Sequence, residues 1–171
     1  AFIPADVKAP GIIRHSAEFQ RLVFGTGTKT NATRINQLAA ALNDAGIEAT
    51  VSDSIEHMLW KKFIFLSALS AMTAPNRLDI GTLRRTPETA MLLRKAMDET
   101  EAVARAVCPD LPQGVAQEQW NFTLGLPDGV HASMLDDLRR GKPLELNYLS
   151  GDVVRIGRIH GIATPLHDFV T

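Results

Sequence analysis

The segment DSIEHMLWKKFIFLSALSAMTA, residues 53–74, marks a change of pattern along the chain. It opens on Asp53 and Ser54, side chains suited to cap a helix, with Glu56 in the first turn. A negative charge there meets the positive end of the helix dipole. After Leu59 the segment is apolar nearly all round, the composition of a helix enclosed by other elements. Pro75 then closes it, because proline donates no hydrogen bond and crowds the preceding turn. The spacing predicts a buried central helix. Its apolar part, residues 63–74, is too short to cross a bilayer and carries Ser67, Ser70 and Thr73, so no membrane partner is expected.

Upstream the pattern differs. Residues 1–52 read as strand, turn, strand, helix, strand. The runs GIIRHS (11–16) and RLVFG (21–25) are short and rich in β-formers. TNATRINQLAAALNDAG (30–46) carries Ile35, Leu38, Leu42 and Ala45 on one face and stops at Gly46. IEATVS (47–52) returns as a strand. GTGTKTN (25–31) lacks phosphate-loop spacing and reads as a strand-to-helix turn.

Downstream everything is helical. Helices are expected at about 87–107, 113–124, 133–140 and 143–160, with Pro109 and Pro112 in a loop and LPDGVHAS (126–133) as a connector. In the last helix Leu146, Leu149, Val153, Ile156 and His160 trace the buried side. The expected architecture is therefore mainly α: an all-helical domain, 53–171, preceded by an α/β remnant, 1–52. With its sheet partners gone, that remnant presents open strand edges that favour association.

Composition narrows the function. The chain has 171 residues, 45% apolar and 22% charged, enough to build a core. Net charge is −1 and no basic run exceeds two residues, which gives no footprint for nucleic acid. Cys108 is the single cysteine, so no internal disulfide forms and a reducing, cytoplasmic setting is expected. The Asn31 and Asn121 sequons read as chance. His15, His57, His131, His160 and His167 show no metal-ligand spacing; packing or surface roles are expected, and no metal. Trp60 and Trp120 are read as core or interface residues. No Gly-x-Gly-x-x-Gly occurs.

Three residues carry candidate chemistry. Lys62 interrupts the stripe Ile55, Leu59, Leu66, Leu69. A lysine desolvated there suits proton transfer near neutral pH, while Lys61, further round the helix, reaches water more easily. The plainer reading is a lysine snorkelling along its methylene stem. Ser133 with Asp136 resembles a capping box, Arg139 and Arg140 suit a helix end, Gly141 stops it, and Pro143 opens the next helix with Glu145 in its first turn. Ser133 and Glu145 are each explained as helix grammar. They equally suit a carboxylate-binding hydroxyl and a carboxylate that compensates Lys62.

The runs LWKKF (59–63), SMLDDLRRGKPLEL (133–146), NYLSGDVVRIGRIHGIATP (147–165), APGIIRH (9–15) and LVFG (22–25) together resemble the ketopantoate reductase (2-dehydropantoate 2-reductase) family. The resemblance implies the end of an NADPH-binding Rossmann domain followed by a helical substrate and dimerisation domain. It implies hydride transfer from NADPH to the ketone of 2-dehydropantoate, a small 2-oxo acid, for pantothenate synthesis, by a homodimer. It matches Lys62 to the family's general acid, Glu145 to the glutamate that orients substrate hydroxyl and lysine, and Ser133 to a carboxylate-binding serine. Many members carry asparagines where this chain has Leu66 and Ser70, and an asparagine where it has His167. Ser70 is taken as a substrate-binding position. Leu66 cannot hydrogen-bond, which leaves open another 2-oxo acid, as in opine or 2-hydroxy-acid dehydrogenases, or a non-catalytic dimerisation module. The family's glycine loop would lie upstream of Ala1, so the chain alone is expected not to oxidise NADPH.

Overall fold

The structure is a computed structural model that describes residues 1, 3, 5–15, 20–25 and 32–171. Residues 26–31, which hold most of GTGTKTN, the start of the expected first helix and Asn31 of the first sequon, lie outside the described residues, as does Ser16. Two compact units are present, Ala1–Glu56 and His57–Thr171.

The first unit contains two separate pairs of strands. β1 (Ala5–Ala9) and β2 (Ile12–His15) form an antiparallel hairpin across Pro10 and Gly11, whose φ of 76° suits glycine. β1 was not expected from the sequence; ADVKA alternates apolar and polar residues, but its Ala, Asp and Lys are weak β-formers. β3 (Arg21–Phe24), α1 (Ala32–Asp44) and β4 (Glu48–Val51) make one crossover, with β3 and β4 parallel. α1 ends as Gly46 predicts, with Ile47 N donating to Leu42 O at 2.9 Å. Asn43 then ties the helix end to β4, donating to Ala49 O at 2.9 Å and accepting from Ala49 N at 3.1 Å. A Cβ on Gly25 would sit 2.4 Å from Ser52 O, so only glycine allows this approach.

The second unit is helical, as the fold class expected. α2 (Ile55–Asn76) buries residues from Ile64 to Ala74 almost continuously. Pro75 sits inside its last turn, one residue short of the end. Arg77 then adopts φ 55°, a left-handed position usually given to glycine, and Leu78 N donates to Thr73 O at 3.2 Å to close the helix. α3 (Ile80–Arg85) follows, capped by Asp79, whose carboxylate accepts from Thr82 N at 2.7 Å. That bond holds the Asp79 carboxyl below its usual pKa. α4 (Pro87–Val107) has the expected bounds, and α5 (Val115–Leu124) starts two residues late. α6 (Ser133–Arg139), α7 (Ser150–His160) and α8 (Pro165–Val170) complete the unit.

The core joins Ile64, Leu69 and Met72 of α2 with Leu93 and Met97 of α4 and Met134 and Leu135 of α6. Each such side chain, fully buried, contributes about 1.5–3 kcal/mol. Trp60 and Trp120 pack against its rim, as expected.

The expected helix over 143–160 is corrected. Residues 142–144 are irregular, Glu145–Tyr148 form a single 3-10 turn, and α7 begins only at Ser150. Leu149, with φ −101° and ψ −92°, breaks the helical path. The break rotates the buried face of α7 onto Ser150, Val153, Val154 and Gly157, leaving His160 exposed. Among the described residues no helix is long and apolar enough to cross a membrane.

Candidate active site

α2 supplies the first candidate. Lys62 is exposed, not desolvated, and Leu59 one turn before it is 60% exposed. The apolar stripe is therefore buried only further along, at Leu69. The relation to Lys61 is also the reverse of that expected: Lys61 is the half-covered residue, bonded to Glu118 of α5. Lys62, Leu69 and Thr73 fall at i, i+7 and i+11, within about 20° of one helical line.

That line leads to the second candidate. Thr73, wholly buried, donates its hydroxyl to Leu69 O at 2.7 Å and accepts from Ala132 N at 3.2 Å. The start of α6 is thus pinned to α2. Ala132, not Ser133, is the N-cap, and it has no capping side chain. Ser133 is the first helical residue. Asp136 closes no box with it; its Oδ1 lies 3.1 Å from His131 Nε2 instead. The capping expectation fails because Ala132, at φ −71° and ψ 146°, already holds the extended conformation a cap needs. Ser133 is exposed, while Ala132 and Met134 on either side are 5% and 2% exposed.

Glu145 opens the 3-10 turn rather than a helix begun by Pro143. Leu144 and Leu146 on either side pack against the core, and Glu145 itself is exposed. Lys62, Ser133 and Glu145 are therefore exposed polar side chains on three core-anchored elements of one unit. Ser70 differs: it is 3% exposed, inside the buried run of α2.

Sequence reasoning missed a buried polar network behind these elements. His167, fully buried, sets Nδ1 3.1 Å from Ser150 Oγ and Nε2 3.1 Å from Ala96 O and 3.0 Å from Thr100 Oγ1. Thr100 reaches Ser67 of α2 at 3.1 Å. A carbonyl only accepts, so Nε2 carries the proton and Ser150 donates to Nδ1. Burial pushes the His167 pKa down, and the bond to Ala96 O opposes this. In the sequence Ser67, polar within the apolar run of α2, was a signal for it, whereas Thr100 stands among Asp98, Glu99 and Glu101.

Two α4 carboxylates cap other helices. Glu99 accepts from Leu166 N at 3.0 Å and His167 N at 3.2 Å, while Glu101 accepts from Gly114 N at 2.8 Å and Ala116 N at 2.6 Å. Neither α5 nor α8 has a capping side chain of its own.

A protein-family profile described as ketopantoate reductase PanE/ApbA C terminal matches residues 54–171. The 2-dehydropantoate 2-reductase of Mesorhizobium japonicum is 32% identical over 170 residues, covering 96% of this chain and 50% of that protein. The crystal structure of a PanE/ApbA family ketopantoate reductase from Ralstonia eutropha is similar at TM-score 0.86 and 31% identity, over 99% of this chain and 54% of that one. A dimeric ketopantoate reductase from Staphylococcus aureus shares the fold at TM-score 0.83 and 22% identity, over 99% of this chain and 57% of that one. The chain spans about half the length of the relatives it matches.

Proposed function

The chain belongs to the ketopantoate reductase family, and on that premise we propose that it forms the substrate-binding and proton-donating part of an NADPH-dependent 2-dehydropantoate 2-reductase. The nicotinamide supplies hydride when bound. No Gly-x-Gly-x-x-Gly occurs in these residues, so they carry no dinucleotide fingerprint of their own.

The chain's own contribution is to hold the keto acid and deliver a proton. Lys62, as an ammonium, donates to the ketone oxygen as negative charge develops there. Glu145 accepts from the substrate hydroxyl and draws the Lys62 ammonium into line. The Ser133 hydroxyl donates to the substrate carboxylate. Ser70 is left out of these contacts, because a side chain 3% exposed is shielded from solvent. The observation that carries the reading is that Lys62, Ser133 and Glu145 alone of the four are exposed, each beside residues fixed in one core. We extend to the whole protein a cytoplasmic setting and, since the S. aureus relative is dimeric, a homodimeric state.

The test is NADPH consumption with 2-dehydropantoate by the full-length reductase proposed here, and by its Lys62→Ala variant. Turnover that falls by about 10²–10⁴-fold supports the assignment. A loss of only a few-fold removes Lys62 from the reaction. No turnover at all, in folded wild type that binds NADPH, moves the substrate to another 2-oxo acid, with Leu66 the first residue to exchange.

A further inference from the structure

Away from Lys62, three unlike ligand types converge. The donor atoms of His57, Cys108 and Asp110 all lie within 4.8 Å of one another. His57 Nε2 is 3.1 Å from Asp110 Oδ2, and Cys108 Sγ is 3.1 Å from Asp110 Oδ1. His57 lies in the first turn of α2, Cys108 ends α4, and Asp110 follows in the loop to α5. The geometry is fixed locally. Cys108 N donates to Ala104 O at 2.7 Å, and Leu111 N returns to Cys108 O at 3.0 Å, which bends Cys108 and Asp110 toward the same side. The sulfur is at the floor, since Cys108 is 3% exposed, and the Asp110 side chain is the rim at 80%.

We propose that His57, Cys108 and Asp110 bind a borderline-soft divalent cation, zinc above all, with solvent at a fourth position. Zinc takes thiolate, imidazole and carboxylate at about 2.0–2.3 Å, which sets tetrahedral ligand-to-ligand edges of about 3.3–3.8 Å. The two 3.1 Å separations run to different oxygens of Asp110, so on binding His57 and Cys108 close around one carboxylate oxygen from within the 4.8 Å cluster. Magnesium and calcium demand all-oxygen shells and are disfavoured by the sulfur. On binding, the Cys108 thiol proton leaves to solvent, His57 coordinates as neutral imidazole through Nε2, and Asp110 as carboxylate. Thiolate and carboxylate together neutralise the ion. The site ties the first turn of α2 to the α4–α5 connection, beside a groove of about 210 Å³ lined by His57, Lys61, Leu111 and Val115. Positions 57, 108 and 110 form no short motif, which is why their sequence showed no metal spacing.

Without an ion the same groups are a hydrogen-bonded chain, so the test must see a sulfur–metal bond. The whole chain, stripped with chelator, is titrated with cobalt(II) as the zinc probe. Binding of one equivalent with thiolate-to-cobalt charge-transfer absorption, reversed by zinc, is the expected result. Cys108→Ser should abolish that absorption. Because Cys108 is buried, Asp110→Asn and His57→Gln serve as variants at more exposed positions. Each should weaken binding by more than about tenfold, the loss caused even by removing an outer partner of a metal ligand. Zinc should also raise the Tm of wild type but not of Asp110→Asn. Absence of the charge-transfer band at stoichiometric cobalt, its survival in Cys108→Ser, or unchanged affinity in both other variants overturns the proposal.

Discussion

Ser150 Oγ stands 3.1 Å from His167 Nδ1, and this one bond joins the first residue of α7 to the middle of α8 inside the core. The ring is neutral there, since burial disfavours the imidazolium and Nδ1 is occupied as an acceptor. The folded pKa is depressed below the ordinary histidine value of 6.5, so the unfolded chain takes up a proton that the native one refuses. Stability from this group is complete above 6.5 and is lost as pH falls below it, toward the depressed folded value. Thermal melts of wild type across that range should show a falling Tm, and His167→Gln should flatten the slope. An equal slope in both proteins would remove His167 as the cause.

Glu101 meets three amide donors at the start of α5, a helix whose own N-cap is Gly114 in the left-handed region. Those amides point at no other acceptor in their own segment. Glu101→Ala therefore leaves helix-start donors to water and should cost about 1–2 kcal/mol, read as a shift in urea midpoint. Glu101→Gln keeps an acceptor oxygen and should lose less. If the two variants are equally stable, the carboxylate charge is the whole effect.

These two cases show which part of the fold a single sequence carries. α4 was legible, because Pro87 opens it and Pro109 follows its end. α8 was not: its six residues hold no period, and its cap is Glu99, far away in sequence. The 143–160 segment misled because Gly141, Pro143 and an apolar spacing satisfy helix rules that the backbone at Leu149 then breaks. For the site, spacing identified Lys62 as odd but not its exposure. Periodicity says which residues share a face, not whether anything covers it. Ser133 was legible as a helix start, yet its neighbour Ala132 takes the cap.

The stripe of α2 makes that limit measurable. Leu69 is 3% exposed and Leu59, in the same expected stripe but about 80° round the helix, 60%. Leu69→Ala should destabilise the protein by about 2–5 kcal/mol through the lost burial and the cavity left behind. Leu59→Ala should stay within about 0.5 kcal/mol in the isolated chain. Chemical denaturation of both variants decides it. A large loss at Leu59 would mean that this end of α2 is covered in solution.

Ser133 and Glu145 should separate kinetically in the full-length reductase proposed above. If the Ser133 hydroxyl donates to the substrate carboxylate, that bond is made in ground and transition states alike. Ser133→Ala then removes a hydrogen bond to a charged group, about 1.5–3 kcal/mol, and raises KM by roughly 10–100-fold with kcat little changed. Glu145 acts differently, because it aligns the proton donor as well as the substrate. Glu145→Gln keeps the shape but weakens the pull on the Lys62 ammonium, so kcat should fall as well as kcat/KM. Steady-state kinetics with 2-dehydropantoate as the varied substrate reads both. A pure KM effect in Glu145→Gln would reduce that residue to substrate binding, and a kcat effect in Ser133→Ala would place its hydroxyl at the reacting ketone rather than at the carboxylate.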